Sequence, residues 1–185
     1  MDQAASEYYT HLRRASIRGL GDPKHSEPLV EDVLLRLEAA SRFNHCQRLR
    51  FLGYVVAWHI LLRGDELTVL SCSLERVEIH DGSATLHITG DKTNIRATDK
   101  KRVVGCCCDT SHLLCPTHCL EALVEAGKRR AGSQPLNSIP LLCRENGNPY
   151  SNQSLLYWFR LDLSGIGVKV VGKRSENLYG LHAFR

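Results

Sequence analysis

The sequence has no long apolar run. No segment of its 185 residues approaches the roughly 20 consecutive apolar residues that a membrane-spanning helix requires. The first residues, MDQAASEYYTHLRRAS, also lack the apolar core of a secretory signal peptide. These absences predict an intracellular protein with no membrane partner, nuclear if the host is a eukaryote and cytoplasmic otherwise.

Among the eight cysteines no C-x-x-C pair occurs, and the cysteines are not spread along the chain as a disulfide framework would be. Five of them are bunched within one short segment, as Cys106, Cys107, Cys108, Cys115 and Cys119. Adjacent cysteines rarely pair with each other, and intracellular thiols are kept reduced. The sequence therefore predicts free thiols rather than a disulfide scaffold.

The same segment, GCCCDTSHLLCPTHC, contains enough soft ligands for a tetrahedral zinc ion. The candidate ligands are Cys106, Cys108, Cys115, His118 and Cys119. Without a C-x-x-C pair their spacing is poor for zinc, so buried, unligated thiols are the preferred interpretation. A zinc-binding module that acts in protein contacts stays open as an alternative.

Positive charge is concentrated in the second part of the chain. The formal net charge of +4 divides into −2 for residues 1–85 and +6 for residues 86–185. The candidate contacts to a polyanion in the basic part are Lys100, Lys101, Arg102, Lys173 and Arg174. A solvated basic surface without a partner would give the same charge pattern.

The stretch RLRFLGYVVAWHILLRGDEL, residues 48–67, predicts a buried central helix that runs into a charged cluster. Apolar residues recur at three- and four-residue steps over most of the helix circumference. Arg63 follows the apolar part, and Gly64 is expected to release the backbone at the helix end. An arginine at the rim of a core, with Glu66 three residues further on, suits bidentate capture of a phosphate or carboxylate. Alternatively, Arg63 only compensates the dipole of the helix C-terminus.

The remaining pattern predicts a mainly helical domain with a small three-stranded antiparallel sheet. Apolar residues with a helical period predict three further helices, from Ser26, over 116–130 and from Ser151. Pro116 is expected to open the second with Cys115 at its cap, and Ser151 is expected to cap the third. Alternation with a period of two predicts strands near residues 77–79, 86–88 and 103–104. Asp81-Gly82 is typical of the first hairpin turn, and Lys92 falls in the second turn. Residues 1–25 are interpreted as a linker.

Three short motifs in order resemble the catalytic domain of tyrosine recombinases, the phage-integrase family. They are R-x-x-E-L with Arg63 and Glu66, G-D-K-T with Lys92, and H-x-x-R with His182 and Arg185. The resemblance implies an integrase-like fold over residues 26–185. It also implies that residues 1–25 are the tail of a preceding core-binding domain.

In that family a tyrosine hydroxyl attacks a DNA phosphodiester, which forms a 3′-phosphotyrosyl link that a 5′-hydroxyl later reverses. By resemblance, Arg63 and Arg185 bind the charged transition state, Lys92 protonates the leaving 5′-oxygen, and His182 assists proton transfer. Glu66 orients Arg63. The implied partners are double-stranded DNA and further recombinase protomers in a synaptic assembly, with no cofactor and no small-molecule substrate.

The chain departs from the family pattern because no tyrosine follows H-x-x-R; all six tyrosines precede His182. We therefore expect a truncated catalytic domain, inactive in strand cleavage as it stands. A catalytically dead, recombinase-derived DNA-binding module is an alternative. The motifs do not separate strand exchange from the strand swivelling of type IB topoisomerases, which have a similar active site.

Overall fold

The computed structural model describes residues 27–88, 100–172 and 178–180. Within these ranges the chain forms six α-helices and three strands. The helices are α1 Glu31–Ser41, α2 His45–Ile60, α3 Gly64–Val69, α4 Cys108–Ser111, α5 Pro116–Ala131 and α6 Asn152–Gly165. The strands are β1 Val77–His80, β2 Ser83–Ile88 and β3 Lys100–Gly105. The predicted mainly helical domain with a small sheet is confirmed.

The apolar stretch forms the central helix α2, as the spacing predicts. Its N-terminus is capped by Asn44, whose side chain accepts a hydrogen bond from the Gln47 amide at 2.9 Å. The middle of the helix is buried on all sides, and Tyr54, Val55, Val56 and Ala57 have no exposed surface. Helix α2 contacts α1, α5 and β3, so it is the element on which the domain is assembled.

The end of α2 differs from the prediction. Leu61, not Gly64, adopts the left-handed conformation that ends the helix, with φ 55°. The Leu62 amide then donates to the Ala57 carbonyl oxygen at 2.9 Å, which satisfies the end of the helix. Gly64 is instead the first residue of α3. The prediction for Gly64 is wrong because burial of Leu62, which has no exposed surface, sets the direction of the chain before the glycine.

The three strands form one antiparallel sheet in the order β1-β2-β3. Val77 pairs with Leu86 and His80 with Ser83, around the predicted Asp81-Gly82 turn, where Gly82 has φ 70°. Strand β2 alternates buried and half-buried residues, and its buried set, Ala84, Leu86 and Ile88, joins the core. The predicted hairpin is confirmed.

Helix α5 lies against both the central helix and the sheet. Pro116 opens it and Cys115 occupies the cap position, as predicted. At Gly127 a Cβ atom would lie 2.1 Å from the Cys72 sulfur, so only glycine allows this close approach. Helix α6 is capped by Ser151, whose hydroxyl oxygen accepts from the Ser154 amide at 3.1 Å.

Helix α1 begins at Glu31, later than the prediction from Ser26; residues 27–30 are not helical, and Val30 has an extended backbone. In the described ranges, no helix is both long enough and apolar enough to cross a membrane.

Candidate functional site

Arg63 lies at the corner between α2 and α3. Its backbone is extended, with φ −76° and ψ 153°, and it occupies the N-cap position of α3. The carbonyl oxygen of Arg63 accepts the first hydrogen bond of α3, from the Leu67 amide at 3.0 Å. The side chain is half-buried between the core and solvent. This is the predicted position at the rim of the core.

Glu66 holds the main chain of this corner. Its Oε2 atom accepts a hydrogen bond from the Arg63 amide at 2.7 Å, a charge-assisted contact at the start of a helix. The amide of Arg63 is therefore bonded to Glu66, and its carbonyl oxygen is bonded to Leu67, so both hydrogen-bonding groups of its main chain are held by α3. A guanidinium on a backbone fixed in this way can present its planar fork to an oxyanion with little loss of entropy.

The basic residues Lys100, Lys101 and Arg102 lie on strand β3, at the edge of the described sheet. Lys100 pairs with Ile88 and Arg102 with Leu86. Lys100 and Lys101 are exposed and Arg102 is half-buried, so at least two ammonium groups of this strand face solvent. Charged residues on an edge strand also discourage pairing with other chains, and this role requires no ligand.

The other predicted site residues fall outside the described ranges. They are Lys92, Lys173, Arg174, His182 and Arg185. Their convergence with Arg63 on one phosphate therefore stays a prediction.

A buried ion pair in the core is absent from the sequence-based predictions. Arg50 binds Asp162 through two parallel contacts, Nε to Oδ2 at 2.8 Å and Nη2 to Oδ1 at 2.7 Å. The Tyr54 hydroxyl donates to the same carboxylate at 3.0 Å, and the guanidinium lies over the Trp158 ring at 4.5 Å. Burial alone would lower the pKa of Arg50, but the Asp162 carboxylate raises it above its ordinary value. An arginine inside an otherwise apolar stretch was the available signal.

The cysteine-rich segment forms a compact cluster. The ligand atoms of Cys106, Cys108, Cys115 and His118 all lie within 4.8 Å of one another. We call these four residues the thiol cluster. Cys115 is buried, Cys108 is half-buried, and Cys106 and His118 are exposed. The structure thus brings together four of the five candidate ligands.

The fifth candidate, Cys119, lies outside the thiol cluster and faces the core of the domain. Burial raises the pKa of the Cys119 thiol to about 12, as expected for an inert core cysteine. Burial would also raise the pKa of Cys115, but hydrogen bonds from the backbone amides of His118 and Cys107 lower it to about 6. Two neighbouring cysteines therefore have opposite electrostatic environments.

No family model and no curated protein matches the sequence. Several solved structures are similar in fold, and two of them are recombinase complexes. XerH site-specific recombinase bound to difH substrate, in a pre-cleavage complex, superposes with a TM-score of 0.57 and 14% identity over 88% of this chain and 41% of that chain. The lambda integrase tetramer bound to a Holliday junction has a TM-score of 0.52 and 16% identity over 85% of this chain and 43% of that chain.

The chain therefore spans about two fifths of the length of either recombinase chain. At such low identity the similarity concerns the fold. The mainly helical domain with its three-stranded antiparallel sheet has the fold of integrase catalytic domains.

Proposed function

We propose that the chain is a DNA-binding, catalytic-type domain of tyrosine recombinase architecture, and that it binds double-stranded DNA through its phosphates. The observation that carries the proposal is the position of Arg63, the first residue of the R-x-x-E-L motif, at a hydrogen-bonded corner of an integrase-like fold. Both similar structures are complexes with DNA, one with a substrate and one with a Holliday junction. The lambda integrase structure is a tetramer, which supports action in an assembly of several protomers.

In this proposal each site residue has a separate role. Arg63 binds the non-bridging oxygens of the scissile phosphate, and Glu66 positions Arg63 through its main chain. Lys92, His182 and Arg185 supply the remaining proton transfer and charge stabilisation, as their motifs imply. Lys100, Lys101 and Arg102, with Lys173 and Arg174, contact the phosphates on either side.

The central test is the salt dependence of DNA binding by the wild-type chain. Fluorescence anisotropy with a labelled duplex gives the observed association constant over a series of salt concentrations. Each neutralised phosphate contributes about −0.9 to the slope of log K against log salt concentration. We expect a slope of roughly −4 or steeper for several phosphate contacts. A slope near −1 would contradict the proposal.

Variants separate the DNA contacts of strand β3 from those of Arg63. Lys100→Ala with Lys101→Ala should make the slope shallower by about 2, and Arg63→Ala should weaken binding roughly tenfold and change the slope by about 1. Lys128→Ala is a matched control, because Lys128 is exposed on α5 and already pairs with Glu125 at 2.7 Å. Equal effects of all three changes would mean that binding depends only on net charge.

The covalent step is tested separately. All six tyrosines precede His182, and the Tyr54 hydroxyl is bonded inside the core to Asp162 at 3.0 Å. We therefore propose that the 185-residue polypeptide binds DNA without forming a phosphotyrosyl link. Incubation with a nicked suicide substrate, followed by denaturing electrophoresis, should give no protein–DNA adduct. A stable adduct would overturn this part of the proposal.

A further inference from the structure

The thiol cluster lies where strand β3, helix α4 and the start of helix α5 come together. Cys106 directly follows β3, Cys108 begins α4, Cys115 is the cap residue of α5, and His118 lies in its first turn. The Cys106 amide also donates to the Gly82 carbonyl oxygen at 2.8 Å, which ties this point to the β1–β2 turn. Four soft ligand atoms thus meet where the edge of the sheet approaches the main helical layer.

The distances match a tetrahedral metal site. Zinc bonds of about 2.3 Å to sulfur and 2.0–2.1 Å to nitrogen place tetrahedral ligand atoms roughly 3.5–3.8 Å apart. Here the sulfur atoms of Cys106 and Cys115 are 3.7 Å apart. The Nδ1 atom of His118 lies 3.0 Å from the Cys108 sulfur, 3.2 Å from the Cys115 sulfur and 3.9 Å from the Cys106 sulfur. The side chains need only small movements to enclose one ion.

The histidine is oriented as a ligand. Its Nδ1 atom faces the three thiols, and its Nε2 atom lies 3.8 Å from the Oε2 atom of Glu121, one turn further along α5. Metal-bound histidines commonly direct their second nitrogen to a carboxylate, which sets the tautomer and the ring orientation. The Cys115 sulfur in turn accepts a hydrogen bond from the Cys107 amide at 3.5 Å, which supports a thiolate at that position.

We propose that Cys106, Cys108, Cys115 and His118 bind one Zn²⁺ ion in a closed, structural site. Three sulfur ligands and one nitrogen in a tetrahedral arrangement favour zinc over calcium or magnesium, which prefer oxygen ligands. Four protein ligands complete the coordination and leave no position for a substrate, so the ion holds β3 and α4 against the start of α5. Binding releases the protons of those thiols that are not already ionised. The site does not depend on DNA binding.

Metal content with matched cysteine variants tests the proposal. The chain is expressed with zinc, dialysed against metal-free buffer, and analysed by mass spectrometry for metals. The wild type should retain about one zinc per chain, and Cys108→Ser and His118→Gln should lose it. Cys107→Ser is the matched control, because Cys107 lies between two proposed ligands but outside the thiol cluster, with its sulfur 3.9 Å from the Ser111 carbonyl oxygen. Cys107→Ser should retain the zinc.

Two further measurements separate loss of metal from loss of fold. Replacement of zinc by Co²⁺ should produce the absorption of tetrahedral cobalt with thiolate charge-transfer bands, in the wild type and in Cys107→Ser only. Alkylation mapped by mass spectrometry should find Cys106 protected in the zinc form and reactive after chelation, since its side chain is otherwise exposed. A variant that keeps the wild-type circular dichroism but has lost the metal then supports the site directly.

Several outcomes would overturn the proposal. They are a metal-free wild type after growth with zinc, equal metal content in Cys108→Ser and the wild type, and a Cys106–Cys115 disulfide in place of the metal. None of these outcomes bears on the salt dependence of DNA binding, so the two proposals can fail independently.

Discussion

Arg50 and Arg63 belong to the same apolar stretch of sequence, yet the structure holds them in opposite ways. Arg50 is 5% exposed and bonds both oxygen atoms of Asp162. Arg63 is half-buried, and the Glu66 carboxylate bonds its main chain at 2.7 Å. The guanidinium of Arg50 is bonded to a buried carboxylate, whereas the main chain of Arg63 is bonded to α3.

The environment of the side chain indicates the role of an arginine in an apolar segment. A guanidinium that is fully buried needs a partner carboxylate, and the Arg50–Asp162 pair joins α2 to α6. A guanidinium at a helix junction can reach solvent while its backbone stays fixed, which suits recognition of a phosphate.

Removal of the Arg50 partner should have the largest effect. Asp162→Asn leaves a buried guanidinium without its counter-charge, so the free energy of unfolding should fall by about 3–5 kcal/mol. Urea denaturation followed by circular dichroism measures this loss. Asp32→Asn, at an exposed position in the first turn of α1, should cost less than about 1 kcal/mol.

A double variant sharpens this result. Arg50→Met with Asp162→Leu removes both charges, and much of the lost stability should return, since apolar replacement of a buried pair is often close to neutral. If the double variant is as unstable as Asp162→Asn, packing rather than unpaired charge explains the loss.

Glu38 provides an intermediate case, in which a buried carboxylate binds two more exposed arginines. Its oxygens lie 2.8 Å from Arg42 and 2.9 Å from Arg48. Burial alone would raise the pKa of Glu38, but the hydrogen bonds with Arg42 and Arg48 lower it below 4.5. The ionised Glu38 carboxylate therefore contributes fully to the free energy of unfolding above pH 4.5. This contribution is lost as the pH falls through the lower pKa of the folded state.

Glu38→Gln should thus cost about 1.5–3 kcal/mol at neutral pH and less in acid. Unfolding free energies measured between pH 3 and pH 7 test this, with the variant's curve flatter than that of the wild type below pH 4.5. A difference that stays constant over the whole range would mean that the charge of Glu38 is unimportant.

The capping contact at the Arg63 corner should have a smaller effect. Glu66→Ala removes the acceptor of the Arg63 amide, which should cost about 1 kcal/mol. Because the corner loosens, DNA affinity should fall as well. Glu75→Ala, an exposed glutamate before β1, serves as the control and should change neither quantity. Unchanged DNA binding in Glu66→Ala would argue that Glu66 only stabilises α3.

Arg63→Gln should have the smallest effect on stability, within about 0.5–1 kcal/mol, because a half-buried side chain at a helix junction retains access to water. Its DNA affinity should nevertheless fall the most among these single changes. The two arginines would then rank in opposite order for stability and for binding. If Arg63→Gln lowers the free energy of unfolding by several kcal/mol, Arg63 has a structural role like that of Arg50.

Much of the fold was predictable because local patterns carry it. The Asp81-Gly82 hairpin, Pro116 as the opening of α5 and Ser151 as a cap all act through the backbone within a few residues, and all three are confirmed. The prediction that α2 ends at Gly64 was wrong. The chain leaves the helix at Leu61, and the buried side chain of Leu62 lies in the core before the glycine is reached.

The candidate site was predictable only in part. Its motifs singled out Arg63 and Glu66, and the structure places both at one corner. The assembly of the thiol cluster could not be predicted from spacing, because C-x-x-C spacing describes ligands held by a single tight turn. Cys106 and Cys115 are instead brought to 3.7 Å by the packing of a strand end against a helix start.

The main helices and the strands, the concentration of basic charge after residue 85, and the identity of the arginine at the rim of the core follow from the sequence alone. These properties depend on residue type and on spacings of a few residues. The contact of Arg50 with Asp162, 112 positions away, depends on the tertiary structure. The same holds for the proximity of Cys106 and Cys108 to His118. Such contacts depend on how elements pack, because side chains distant in sequence acquire a common environment only when the core between them forms.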